Sequence, residues 1–147
     1  MGKRTSFRQM SARKVMSAPE AVRQSLVVYA KDKRRVSAFY RQALGLVAIE
    51  DESTHDLLRG SGIELVIHAI PQEYASQISV ANPPRVRDET PLKPVFLVES
   101  LEAVRLAAEA TGGSLQPTHR AWQYNGAIVL DGCDPEGNVV QFRQYDT

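Results

Sequence analysis

The stretch Asp134-Pro135-Glu136-Gly137-Asn138-Val139-Val140-Gln141-Phe142 decides the fold. Its proline has a fixed φ and its glycine can take a positive φ, so the first five residues predict a tight turn. The Val, Val and Phe that follow predict a strand whose side chains alternate between two faces. Gln141 and Arg143 then share one face, so we expect a polar amide and a guanidinium on one side of this strand.

Upstream, the same order of strand and helix signals occurs twice. In the first occurrence, the apolar run 25–30 predicts a buried strand. Asp32 is placed to cap a helix that Gly45 ends, because apolar residues recur between them at helical spacing. Three further strand signals follow, at residues 46–50, 55–58 and 63–70, with Gly60-Ser61-Gly62 as the turn between the last two.

The second occurrence begins after a Pro- and charge-rich connector, residues 71–92. It predicts a strand at 94–99, a helix between Ser100 and Gly112, and strands at 114–118, 127–131 and 139–145. The predicted fold is therefore α+β: two βαβββ modules, residues 25–70 and 93–145, in one domain spanning 25–147. They would form a cupped mixed β-sheet with helices on the outer face and a trough inside.

Composition excludes several classes of protein. With 147 residues, 43% of them hydrophobic and 24% charged, the chain can bury the core of one globular domain. The single Cys133 cannot form an internal disulfide, which favours the cytoplasm. No apolar run approaches the roughly 20 residues of a membrane span. We therefore expect no membrane partner.

Residues 1–24 form a basic segment with six Lys or Arg and one Glu, which we interpret as a flexible extension. An organelle transit peptide, or initiation at Met10 or Met16, are alternatives. No aromatic or fold motif accompanies this charge, so nucleic-acid binding is not predicted.

Several short motifs carry a resemblance to a known family. Residues 25–145 resemble the glyoxalase, bleomycin-resistance and extradiol-dioxygenase superfamily, also called vicinal oxygen chelate proteins. The acidic turn before the last strand carries it together with Val28-Tyr29-Ala30-Lys31-Asp32, Ala38-Phe39-Tyr40, Leu44-Gly45-Leu46 and Ile63-Glu64-Leu65-Val66. The resemblance implies the fold and a homodimer, but not a reaction, because this superfamily includes isomerases, dioxygenases, thiol transferases and drug-sequestering proteins.

The resemblance also implies four metal-ligand positions, which here are Ser25, Glu64, Lys93 and Gln141. Only Glu64 is a good ligand, and a protonated Lys93 places a positive charge where a cation would sit. We therefore expect no metal and no other cofactor, with a Glu64–Lys93 ion pair in the cation's place. That pair either only closes the trough or, with Gln141, fixes a polar group of a ligand.

The predicted function is metal-independent binding of a small organic molecule, such as sequestration of a drug or metabolite. An aromatic lid formed by the loop residues 122–125 and the polar ends of the trough complete the site, although such residues equally form a core. The predicted ligand-binding residues are Glu64, Lys93, Gln141, Arg143, Tyr29, His68, Trp122 and Tyr124. The alternative is a metal-dependent lyase, isomerase or dioxygenase with one divalent ion held by Glu64, Gln141 and His68. A third possibility is a structural or regulatory domain that has lost ligand binding.

Overall fold

A computed structural model describes residues 22–60 and 62–145. Residues 1–21 of the predicted extension lie outside the described part of the chain. Residues 22–24 belong to the first strand, because its parallel pairing begins with Val22 opposite Gly62. Backbone pairing needs no apolar side chains, so the predicted boundary at residue 25 falls three residues late.

The first module has the predicted order of elements. Its sheet runs β1-β4-β3-β2, with β1 parallel to β4. The Asp32 side chain accepts a hydrogen bond from the Arg35 backbone N–H at 3.1 Å, and Gly45 ends the helix with φ of 66°. The elements are β1 (Val22–Ala30), α1 (Lys33–Leu44), β2 (Val47–Asp51), β3 (His55–Gly60) and β4 (Gly62–Ala69).

The connector contains one short helix, α2 (Gln72–Ala75), and then crosses the acidic turn. There the Arg87 backbone N–H donates to the Gly137 carbonyl at 2.8 Å. Gly137 has φ of 89°, and a Cβ at this position would collide with the Arg85 carbonyl oxygen. The glycine is thus required both by the turn and by the close passage of the connector.

The second module repeats the order, with a sheet that runs β5-β9-β8-β6 and with β7 paired to β8. Trp122–Tyr124, predicted as a loop, is strand β7, because Asn125 (φ 49°) and Gly126 (φ 80°) form a hairpin turn into β8. The predicted strand 114–118 is cut short by Pro117, which lacks an N–H. The elements are β5 (Val95–Val98), α3 (Leu101–Thr111), β6 (Ser114–Leu115), a 3-10 helix (Thr118–Arg120), β7 (Trp122–Tyr124), β8 (Ala127–Cys133) and β9 (Val139–Tyr145).

One core joins the two modules. Helices α1 and α3 contact each other, and aromatic rings from both modules meet between the sheets and these helices. Phe39 packs at 6.5 Å from Phe142, and Tyr40 packs at 6.4 Å from Phe96, measured between ring centroids. The α+β architecture of two βαβββ modules is therefore confirmed.

Each sheet has a second face that the helices do not cover. We call these the first open face, on β1, β4 and β3, and the second open face, on β5, β9, β8 and β7. Tyr29 on the first is 63% exposed and Leu97 on the second is 67% exposed, so neither face covers the other within the single chain. Within residues 22–60 and 62–145, no helix is long and apolar enough to cross a membrane.

Candidate functional site

The acidic turn that decides the fold is a structural joint between the modules. The fully buried carboxylate of Asp134 accepts hydrogen bonds from the Tyr40 hydroxyl at 2.8 Å and from the Asn138 side-chain amide at 2.8 Å. The Glu136 carboxylate accepts from the backbone N–H groups of Lys31 and Asp32, each at 2.8 Å. The hydrogen bonds of these two carboxylates therefore hold α1 against the second module, Glu136 at the start of the helix and Asp134 through Tyr40.

A continuous polar chain crosses the second open face. Lys93 Nζ lies 2.7 Å from Asp131 Oδ2, and Gln141 Nε2 donates to Asp131 Oδ1 at 3.2 Å. Arg143 Nε donates to Gln141 Oε1 at 2.8 Å, and the Arg143 guanidinium lies 5.0 Å from the centroid of the Tyr124 ring. We call Lys93, Asp131, Gln141 and Arg143 the polar chain. Three of its members lie on strands β8 and β9, and each end of the chain carries a cation, Lys93 at one end and Arg143 at the other.

Strand register explains why these side chains meet. In the antiparallel β8–β9 pair, Asp131 lies directly opposite Gln141, and in the parallel β5–β9 pair Val95 lies opposite Gln141 and Leu97 opposite Arg143. Directly opposed residues point to the same face. The polar chain is consequently flanked by exposed apolar or aromatic side chains, namely Val95, Leu97, Trp122 and Tyr124.

The first open face carries the remaining predicted residues. Glu64 lies opposite Arg59, and their side chains approach to 3.6 Å. The rings of Tyr29 and His68 are 5.6 Å apart between centroids. His68 Nδ1 donates to the Ala69 carbonyl at 2.8 Å, since a carbonyl oxygen only accepts.

The predicted ion pair between Glu64 and Lys93 is not formed within the chain. Glu64 approaches Arg59 and Lys93 pairs with Asp131, because directly opposed or adjacent residues of one sheet are nearer than residues of the other sheet. The eight predicted residues fall into two groups. Lys93, Gln141, Arg143, Trp122 and Tyr124 lie together on the second open face, and Glu64, Tyr29 and His68 lie on the first.

Asp131 is the member of the polar chain that the sequence analysis did not single out. Its carboxylate follows the apolar run of β8, and the turn at Asp134–Asn138 sets the register that puts it opposite Gln141. Counting outward from that turn is the signal that identifies it.

The side chains at the family's metal positions do not fit a divalent cation. The Gln141 amide oxygen, which would be the ligand atom, already accepts from Arg143, and Lys93 places an ammonium in the same row. Within a single chain, Glu64 and His68 lie on β4, whereas Gln141 lies on β9 in the other sheet, so these three do not meet there. Across the described residues, no cluster of three or more His, Cys, Asp or Glu has the geometry to hold a metal ion.

The paired βαβββ modules place this chain in a known class of α+β proteins. The family model described as "Glyoxalase-like domain" matches residues 25–142. The chain therefore belongs to the glyoxalase-like domain family. A search of curated proteins gives no match.

Solved structures with the same fold include three of special interest. A glyoxalase/bleomycin resistance protein from Albidiferax ferrireducens T118 is 16% identical, with 84% of this chain and 98% of that one covered and a TM-score of 0.59. A fosfomycin resistance protein from Listeria monocytogenes is 13% identical, with coverages of 85% and 91% and a TM-score of 0.58. A bleomycin resistance determinant encoded on transposon Tn5 is 13% identical, with coverages of 85% and 98% and a TM-score of 0.55.

Proposed function

We propose that this protein binds a small organic molecule on the second open face without the help of a metal ion, and so sequesters a drug or metabolite. The observation that carries the proposal is the polar chain, set among exposed apolar side chains. An apolar surface with a few converging polar groups is the usual composition of a small-molecule site.

We expect Arg143, Trp122 and Tyr124 to contact the ligand. Gln141 is only 7% exposed and its amide is hydrogen-bonded at both ends, so it positions its neighbours. Arg143 uses only Nε for hydrogen bonds within the described residues, which leaves both terminal nitrogens for an acceptor. Trp122 and Tyr124 are 40% and 56% exposed and supply flat surfaces for stacking. The ligand class is therefore an apolar or aromatic molecule with an anionic or strongly accepting group.

Two of the structural neighbours are drug resistance proteins, so the fold occurs in proteins that protect against drugs. One is described as a bleomycin resistance determinant and another as a fosfomycin resistance protein. At their low identity they share the fold alone, so neither drug is assigned to this chain.

A homodimer would complete the site. The first open face of each protomer covers the second open face of its partner, so the twofold axis produces two equivalent buried contacts. Both faces are rich in exposed apolar residues, including Val27 at 49% and Leu97 at 67%. In this arrangement Glu64, Tyr29 and His68 face the partner's polar chain and join the ligand site from the opposite side.

The test uses 8-anilinonaphthalene-1-sulfonate, an aromatic anion, with protein stripped of metals by EDTA. The single tryptophan, Trp122, reports binding by fluorescence quenching. We expect saturable binding that Arg143→Met weakens about tenfold, equivalent to about 1.4 kcal/mol. Arg41→Met, at an exposed position in the last turn of α1, is the matched control and should bind as the wild type does.

Two outcomes contradict the proposal. One is equal affinity of the Arg143 and Arg41 variants for the probe. The other is binding that appears only after a divalent metal is restored, which would favour the metal-dependent enzyme instead.

A further inference from the structure

A second concave region lies beside the polar chain, beneath the end of the connector. Residues 86–93 roof a cavity of about 560 Å³ whose floor is formed by β6, β8 and the start of β9. This volume lies within the range that small organic ligands occupy. The cavity is separate from the aromatic end of the second open face, because its lining includes Lys93 and Asp131 but not Arg143, Trp122 or Tyr124.

The charged groups of this cavity balance one another. Lys93 and Asp131 form an ion pair of 2.7 Å in its wall, and Arg87 and Asp88 contribute one charge of each sign from the roof. An anion that approached the Lys93 ammonium would also meet the Asp131 carboxylate, whose repulsion offsets the attraction. A neutral carbonyl oxygen carries no such penalty. An ammonium has three N–H donors and Asp131 occupies one, so donors remain for a ligand.

The rest of the wall favours an apolar body. The apolar lining comes from both the connector and the sheet, and consists of Val86, Leu92, Leu115 and Val139. Cys133, only 3% exposed, lies in the floor with its thiol 3.3 Å from the Ser114 hydroxyl. Both of these are small groups that leave the floor weakly polar.

We infer that this cavity is a second binding compartment, which takes an uncharged apolar molecule with a carbonyl-type acceptor. The acceptor oxygen receives an N–H of Lys93, and the apolar body lies against Leu115 and Val139. The roof is fixed at one side by the Arg87 N–H on the Gly137 carbonyl, at 2.8 Å, and at the other by the Lys93–Asp131 pair. The compartment does not depend on occupation of the proposed face site.

The test compares benzamide with benzoate, which share a shape and differ in charge. Cys133 is the only cysteine of the chain, so its alkylation by iodoacetamide reports access to the cavity floor. We expect benzamide to slow alkylation several-fold with a dissociation constant on the order of 1 mM, as suits a fragment of this size. Benzoate should need at least about fivefold higher concentration for equal protection.

Variants separate this compartment from the face site. Val139→Phe fills the cavity and should abolish protection by benzamide, and Thr90→Trp, in the exposed roof, should do so without disturbing a strand. Lys93→Met should weaken protection at least about fivefold by removing the donor. Arg41→Met, at the exposed position on α1 outside both sites, should leave it unchanged. Equal protection by benzoate, or protection that survives both filling variants, overturns the inference whatever the face site binds.

Discussion

At the scale of single residues, the buried carboxylate of Asp56 forms an ion pair with Lys33 that contributes to stability. Asp56 is 6% exposed, and its carboxylate lies 2.6 Å from Lys33 Nζ and accepts the Ser37 hydroxyl at 2.5 Å. Burial alone would raise the pKa of Asp56, but the hydrogen bonds from Lys33 and Ser37 and the charge of Lys33 outweigh it and lower that pKa. The cluster joins α1 to β3 beneath the first sheet.

Asp56→Asn should lower the free energy of unfolding by about 2 kcal/mol at pH 7, since it weakens a largely buried ion pair. The pKa of Asp56 is lower in the folded protein than in the unfolded chain. Its carboxylate therefore contributes its full stabilisation above the ordinary carboxyl pKa of 3.8, and this stabilisation is lost as the pH falls through the pKa of the folded state. Urea unfolding at pH 7 and pH 3 should therefore show a gap between wild type and variant that narrows in acid.

Asp51→Asn is the control for this prediction. Asp51 lies 3.4 Å from the same Lys33 Nζ but its side chain is 86% exposed, so its loss should cost less than about 0.5 kcal/mol. A gap for Asp56→Asn that is as large at pH 3 as at pH 7 would show that its carboxylate charge contributes nothing.

At the scale of elements, a carboxylate of the second module, that of Glu136, binds backbone N–H groups at the start of helix α1. The first backbone N–H groups of a helix lack partners within it, and those just before it need partners as well. Asp32 caps the Arg35 N–H, while Glu136 accepts from the N–H groups of Lys31 and Asp32. The negative charge also suits the positive end of the helix dipole.

Glu136→Ala should destabilise the protein by about 2 kcal/mol, because two charge-assisted hydrogen bonds disappear in a buried place. Glu136→Gln should cost less, since its amide oxygen still accepts. Hydrogen exchange should show faster exchange at the amides of Lys31 and Asp32 in the alanine variant.

The control for this element is Glu102→Ala. Glu102 occupies the first turn of α3 with a side chain that is 72% exposed, so its loss should change stability by less than about 0.5 kcal/mol. If Glu136→Ala leaves both stability and exchange at these amides unchanged, the clamp between the modules is not energetically significant.

At the scale of the whole molecule, the chain has one shared core and two uncovered sheet faces. Strands β1 and β5 also lie at the ends of their sheets. Natural proteins seldom leave apolar faces and open edges exposed together, because both favour association. This is the physical reason for the homodimer in the proposed function.

Leu97→Glu should weaken the dimer at least about tenfold, because it buries an unpaired charge in the proposed interface. Analytical ultracentrifugation across a concentration series measures the dissociation constant. Leu106→Glu is the matched control: Leu106 is 61% exposed on α3, outside both open faces. Wild-type protein that stays monomeric at high micromolar concentration, or equal effects of the two variants, would contradict the dimer.

The sequence alone determined most of the local structure. Asp32 and Gly45, and likewise Ser100 and Gly112, bound the two long helices as predicted, because caps and left-handed glycines act on their immediate neighbours. Strand β7 was missed although its hairpin signal, Asn125-Gly126, stands in the sequence. The position of Gln141 and Arg143 on one face followed from the alternation of side chains along β9.

Tertiary structure alone decided which side chains are partners. The register of β8 on β9 put Asp131 opposite Gln141, where Lys93 also reaches it, and the register of β3 on β4 put Arg59 opposite Glu64. Spacing along a strand specifies a face but not the element that lies opposite it. The choice between partners depends on contacts among residues far apart in the chain, and local sequence patterns do not specify those contacts.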